Sequence, residues 1–304
     1  MKTLYSLLGL ALAALLALTS CQTLESAAEI ATVIGQGTGA ITETQAESIR
    51  KSTKAVARSA EEFTPEQEYY IGRSVGAVVL TKYRAFDNAQ LNRYVNLLGQ
   101  TLAQASDLPS LFGGYHFLVL DSDDINAFAT PSGLIFVTRG LLRCCRTEDA
   151  LAAVLTHEVG HIECRHGMEA IEKARFNEVA AILGTELAKN LGSREVAQLT
   201  ETFGGVITDV TTTMINKGYA RGSEYEADRA AVKLLRRVGY DPSGLTEMLL
   251  AMKRNLKPGG LDFVKTHPAP DDRIAELRKD GVGSAAVRPV AARQKRFQQS
   301  MVRI

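Results

Sequence analysis

The spacing of apolar positions changes several times along this chain, and each change marks a different kind of segment. Residues 1–20 place one lysine ahead of an unbroken apolar run from Leu7 to Leu18, the pattern of a secretory signal and short for a permanent bilayer span. Residues 22–62 are rich in Ala, Thr, Glu, Ser and Gly, which reads as a partly helical, weakly packed spacer. Helical spacing begins at "FTPEQEYYIG": Thr64 is a candidate N-cap, Pro65 takes the first helical position and Gln67 completes a capping box. A second helix, Asn88 to Ala105, carries Leu91, Tyr94, Val95, Leu98 and Leu102 on one stripe.

"YHFLVLD" (115–121) and "GLIFVTRG" (133–140) then read as strands, short, β-branched and aromatic. The "NAFATPSG" between them reads as a connection in which Pro131 and Gly133 supply the turn. Beyond Thr147 the pattern is helical almost to Lys279, and the stretch from Leu183 to Met214 is too polar and broken to cross a membrane. Gly283 to Ile304 has five basic residues and no acidic one, which reads as a solvated basic tail with weak attraction to an anionic bilayer as the alternative. The fold class is α+β, predominantly helical. The chain divides into a signal (1–20), a spacer (21–60), one catalytic-size domain (61–282) and the tail (283–304).

A net charge of +1 argues against a nucleic-acid partner. There is no internal repeat, dinucleotide glycine fingerprint or phosphate loop; "GQGTG" near residue 35 follows no strand. "LTSC", Leu18 to Cys21, resembles the lipobox of bacterial lipoproteins, in which the cysteine becomes the acylated N-terminus. Gln22 in place of an aspartate resembles lipoproteins sent to the outer membrane. The alternatives are an uncleaved anchor or a plain secretory signal. Of the other cysteines, Cys144 and Cys145 lie roughly 25 Å from Cys164 along the intervening helix, too far for a disulfide.

"TEDALAAVLTHEVGHIECRHG" carries the chemistry. His157 and His161 lie one turn and about 40° apart on a helix that Thr147 can cap, so both imidazoles reach one ion. Glu158 lies on the same side, about 60° beyond His161, placed to act on water without being a ligand. His166, nine residues past His157, points about 180° away and reads as a surface or helix-end residue. Cys164 lies two turns from His157, roughly 10 Å along the axis, and reads as a small buried side chain beneath the site.

The third ligand is sought in "ARGSEYEADRAAVKLL". On a helix, Glu224, Ala227, Asp228 and Ala231 share a face while Glu226 points roughly opposite. The alanines allow close approach to the histidine helix, Glu224 reaches the ion, and Asp228 can accept the N–H of a ligand histidine. A solvated acidic face is the alternative for this segment alone.

With these residues in view, the sequence resembles the HtpX, CAAX prenyl endopeptidase and Oma-type family of zinc metallopeptidases, in particular its small periplasmic lipoprotein members, over roughly residues 61–282. HEVGH matches the family's HExxH, "RGSEYEAD" its R-x-x-E-x-E-A-D segment and "THPAPDDRIAEL" its H-P…R-I segment; Ala220 replaces a common serine. The resemblance implies a zincin-like domain with a short sheet beside the HExxH helix. It also implies one Zn2+ per chain on His157, His161 and Glu224, a supporting role for Asp228, and His267 and Arg273 as active-site groups able to donate to an oxyanion. No carboxyl-terminal repeat array follows the match.

The expected activity is a metalloendopeptidase of the gluzincin type, with Glu158 as general base and acid. Its expected substrates are unfolded or misassembled envelope polypeptides, added as an extra strand along the edge formed by 133–139. Its other contact is with the membrane, through the anchor at Cys21. The alternative is an envelope chaperone or assembly factor with suppressed proteolysis, and the ligand set also admits manganese or cobalt.

Overall fold

The computed structural model describes residues 21–44, 46–47, 49–50, 63–174, 211–212, 218–255, 269–283, 289–302 and 304. The signal, most of 183–214 and His267 lie outside them. The chain forms two compact units, residues 1–63 with 171–206 and residues 64–170 with 207–304. In the first, helix α1 (Cys21–Gly37) covers the start of the predicted spacer. Its last turn closes where Thr38 Oγ1 donates to the Ile34 carbonyl at 2.9 Å.

The second unit carries the motifs. Helix α2 (Pro65–Lys82) starts as the sequence predicts: Thr64 Oγ1 accepts from the Gln67 backbone and the Gln67 side chain accepts from the Thr64 backbone. Helix α3 (Ala89–Ala103) is capped by Asn88 and buries Leu91, Val95 and Leu102, each worth about 1.5–3 kcal/mol of transfer free energy. Strands β1 (His116–Leu120), β2 (Ala127–Ala129) and β3 (Leu134–Thr138) form one sheet in the order β1-β3-β2. β1 runs parallel to β3, His116 opposite Leu134, and β2 runs antiparallel to it, Ala127 opposite Val137.

Two expectations need correction here. The stretch read as a mere connection contains β2, which turns back onto β3 through residues 130–133, with Gly133 at φ +89° where a side chain would be strained. The 133–139 strand is therefore central, paired on both sides, and cannot accept a peptide. The sheet's edge on that side is β2. Thr138 N donates to Asn126 O and Thr130 N to Leu134 O. Because hydrogen-bonded pairs alternate in an antiparallel ladder, Ala127 and Ala129 turn their backbone groups away from β3.

After the short helix α4 (Arg139–Cys144) comes α5 (Glu148–Glu163), buried on every face from Glu148 through Ile162. A helix buried all round lies in the middle of a core, and its polar side chains, Glu148, Asp149, Thr156, His157, Glu158 and His161, are buried with it. α3 and the sheet pack against it, as do α6 (Arg221–Arg237), α7 (Ser243–Asn255) and α9 (Ala291–Ser300), while α8 (Pro270–Lys279) packs on α6 and α7. The segment read as a solvated tail thus holds a docked helix: Phe297 is buried, and Arg296 reaches the buried carboxylate of Glu148 with Nε at 2.5 Å from Oε2. No helix among the described residues is long and apolar enough to cross a membrane.

Candidate metal centre

The centre is built by two helices that approach closely. Thr147 caps α5, its Oγ1 accepting from Ala150 N at 3.1 Å, and the all-buried helix carries His157 and His161 one turn apart. α6 crosses where Gly160 faces it: a Cβ there would lie 2.9 Å from the Ala227 carbonyl oxygen and 3.1 Å from Ala230 Cβ. The alanine face and this glycine bring Glu224, fully buried in the first turn of α6, up to the histidines. Its Oε2 lies 3.4 Å from His157 Nε2, its Oε1 3.4 Å from His161 Nε2, and the two Nε2 atoms are 3.2 Å apart. Among the described residues this is the one group of three or more such side chains with donor atoms converging on a point.

Behind the donors sits a second layer. Asp228 Oδ1 lies 2.9 Å from His157 Nδ1, and Arg273 from α8, fully buried, grips both Asp228 oxygens. Burial opposes the charge on Asp228, yet Arg273 and then His157 hold its carboxyl below the ordinary aspartate range. Against burial and the Arg273 charge, Asp228 and Glu224 push the His157 imidazole up to about 9. Glu158 is buried too, and burial raises its carboxyl to about 7, with Glu224 adding to the rise and His157 and Arg273 opposing it. Its Oε1 has no hydrogen-bond partner among the described residues.

Three buried carboxyl groups thus face a single guanidinium around two imidazole nitrogens. Charges this deep are held only when compensated, so the donor set fits a divalent cation.

The structure brings together six residues singled out in the sequence, His157, Glu158, His161 and Glu224 at the centre with Asp228 and Arg273 behind them. His267 lies outside the described residues, and the Cys21 side chain is not described. Cys164 caps the end of α5, half-buried and outside the donor cluster. No disulfide joins Cys144, Cys145 or Cys164.

His166 overturns its expected place. It is buried, with Nδ1 2.9 Å from His161 Nδ1, because α5 ends at Glu163 and Arg165 takes a left-handed conformation at φ +58°, which breaks the helical phase before helix resumes at His166. Wheel geometry fails once the helix has stopped. Tyr219 was also missed; its ring stacks on His161 with centroids 4.4 Å apart. It stands just ahead of α6, and no spacing in the sequence points to it.

The sequence profile of peptidase family M48 matches residues 89–280, which spans α3, the sheet and every helix from α4 through α8. The chain belongs to peptidase family M48. Among M48 relatives, the beta-barrel assembly-enhancing protease of Escherichia coli K12 is 30% identical over 219 residues, 69% of this chain and 42% of that protein. A putative beta-barrel assembly-enhancing protease of Vibrio cholerae is 29% identical over 223 residues, 71% of this chain and 44% of that one. The mitochondrial metalloendopeptidase OMA1 of Schizosaccharomyces pombe is 29% identical over 189 residues, 61% of this chain and 52% of that one. The match thus spans less than half the length of the bacterial relatives.

Proposed function

We propose that this M48 chain is a zinc endopeptidase of the bacterial cell envelope that cleaves unfolded or misassembled polypeptides, with His157, His161 and Glu224 holding one ion. Glu158 carries this reading: its buried carboxyl has an unpartnered oxygen beside the donor cluster, yet holding a metal does not require it. A zinc ion at this site supplies a Lewis acid that polarises the scissile carbonyl and acidifies the attacking water. Burial raises the proton affinity of the Glu158 carboxyl, and Glu158 would take the proton of that water and deliver it to the leaving amine. Asp228 orients His157, and Arg273, committed to Asp228, acts as a positioning residue; the oxyanion donor from this chain is His267.

The substrate adds as a strand to the outward backbone groups of Ala129 and the carbonyl of Ala127 on β2, the Ala127 N–H being taken by Asn126 Oδ1 at 2.9 Å. Ala129 and Thr130 line a cleft together with His161, which supports an extended peptide reaching the metal from this edge. Binding through backbone groups favours unfolded clients over a fixed sequence. Acylation at Cys21 anchors the chain to the membrane facing the periplasm, at the outer membrane given Gln22. The names of the bacterial relatives support a role in envelope quality control and favour one second reading, an assembly factor for which proteolysis is secondary.

Full-length wild type and Glu158→Gln, both loaded with zinc, are compared on unfolded casein with and without chelator, and for complementation of a deletion strain. The expected result is chelator-sensitive cleavage that Glu158→Gln lowers by about 10²–10⁴-fold. Cleavage by Glu158→Gln at the wild-type rate overturns the mechanism. Loss of cleavage with full complementation makes assembly the principal activity.

A further inference from the structure

The two ligand histidines are supported differently. His157 Nδ1 meets a carboxylate directly, Asp228 Oδ1 at 2.9 Å. His161 Nδ1 meets another imidazole, His166 Nδ1 at 2.9 Å, and His166 Nε2 meets Glu226 Oε2 at 3.1 Å. The latter two residues lie outside the donor cluster and have no part in the proposed chemistry.

We infer that His166 and Glu226 are positioning residues that hold His161 in the tautomer able to bind the metal, an inference that rests on the zinc reading above. The assignment follows from counting protons. A carboxylate only accepts, so Glu226 selects the His166 tautomer that carries its proton on Nε2. That leaves His166 Nδ1 as a lone pair, which can only accept the proton on His161 Nδ1. His161 Nε2 then presents a lone pair, and not a proton, to the point on which the donors converge, 3.2 Å from His157 Nε2. The opposite polarity would put the His161 proton on Nε2 and block the ligand. Three acidic residues of one α6 segment thus serve three ends: Glu224 joins the donors, Asp228 fixes His157 directly, and Glu226 fixes His161 through His166. The left-handed residue at Arg165 accompanies the third by breaking the helical phase after α5, so that His166 Nδ1 meets His161 Nδ1.

Tyr219 stacks on the face of the His161 ring, so the ring plane has a support of its own and the tautomer can be tested separately. Zinc affinity of the full-length protein is measured by chelator competition for wild type, His166→Leu, His166→Asn and Glu226→Ala. Thermal unfolding and ¹⁵N imidazole spectra are recorded on the metal-free forms. His166→Leu should weaken zinc binding about 10–100-fold, as loss of an outer partner of a ligand does. His166→Asn, whose Oδ1 can still accept from His161 Nδ1, should recover most of that loss. Metal-free wild type should show His166 protonated at Nε2 and His161 at Nδ1.

Zinc affinity within twofold of wild type in His166→Leu overturns the inference, as does a His166 proton on Nδ1. If His166→Leu fails to fold, Glu226→Ala decides: its side chain is 57% exposed, so the fold tolerates the change, and unaltered zinc affinity in it overturns the inference. Wild type that binds no zinc is a separate result, which overturns the metal reading and this inference with it.

Discussion

The Arg273 guanidinium grips Asp228 through two parallel hydrogen bonds, Nε to Oδ2 at 2.8 Å and Nη2 to Oδ1 at 2.5 Å, in a place from which water is excluded. The pair links α8 to α6 behind His157. Removing Arg273 leaves the buried Asp228 with His157 as its one remaining partner, so Arg273→Met should destabilise the metal-free protein by about 3 kcal/mol, the lower end of the cost of breaking a buried pair. Arg273→Lys keeps the charge but loses the planar fork, and should fall between Arg273→Met and wild type. Urea unfolding without metal reads both. If Arg273→Met keeps wild-type stability and loses only catalytic rate, the guanidinium acts on the substrate and its positioning role is wrong.

What the sequence disclosed and what it hid follow one physical division. Caps and donor spacings are local, so Thr64 with Gln67, Thr147 with the start of α5, and the pair His157 and His161 were readable from neighbouring residues. Glu224 was readable because an alanine face announces close helix packing. β2 escaped because three residues of Ala-Phe-Ala have no period of their own; pairing with Val137 through Ile135 makes them a strand. His166 escaped because Arg165, unlike a glycine, does not signal a left-handed turn. α9 escaped because its docking depends on Glu148, far away in the chain, and on apolar contacts of Phe297 that composition averages away.

Gly160, inside HEVGH, is a packing residue and not a source of flexibility. Its missing side chain lets the Ala227 backbone of α6 approach, and that approach delivers Glu224 to the histidines. Backbone cannot yield as a flexible side-chain end can. Alanine has the better helix propensity by about 1 kcal/mol, but its Cβ would need α6 to move by a few tenths of an ångström. Gly160→Leu should cost about 1–3 kcal/mol or more through overpacking and should weaken zinc binding by displacing Glu224. Chelator competition beside thermal unfolding checks this. Unchanged zinc affinity in a folded Gly160→Leu protein would show that the crossing does not set the ligand distance.

The C-terminal helix is part of the fold through Glu148. This carboxylate, fully buried at the start of α5, accepts from Tyr94 Oη at 2.9 Å, Tyr240 Oη at 2.7 Å and the Arg296 guanidinium. Arg293 adds a second tie by lying over the Tyr240 ring, 3.8 Å from its centroid. Arg296→Met leaves the tyrosine donors in place, and Arg296 itself is half exposed, so the loss should be about 1–2 kcal/mol, below that of a wholly buried pair. A stop after residue 289 also removes Phe297 and should cost more. Thermal unfolding of the two proteins tests the order; equal stability of the truncated and full chains would return this segment to the status of a tail.

Acid should loosen the far end of α6 through Asp107. Hydrogen bonds from Lys233 and then Arg237 hold the Asp107 carboxyl below the ordinary aspartate range, although the group is exposed. Arg237 Nη2 donates to it at 2.8 Å, tying the segment after α3 to the helix that carries Glu224. A carboxyl whose folded pKa is depressed stabilises the fold above its unfolded pKa, about 3.9. That contribution fades as pH falls through the folded value. Asp107→Asn should therefore lower the melting temperature slightly at pH 6–7, and the difference from wild type should shrink below pH 4 and vanish once the folded carboxyl is protonated. Added salt at pH 7 should shrink it as well, since exposed pairs are screened. A difference independent of both pH and salt would assign Asp107 a packing role and not an electrostatic one.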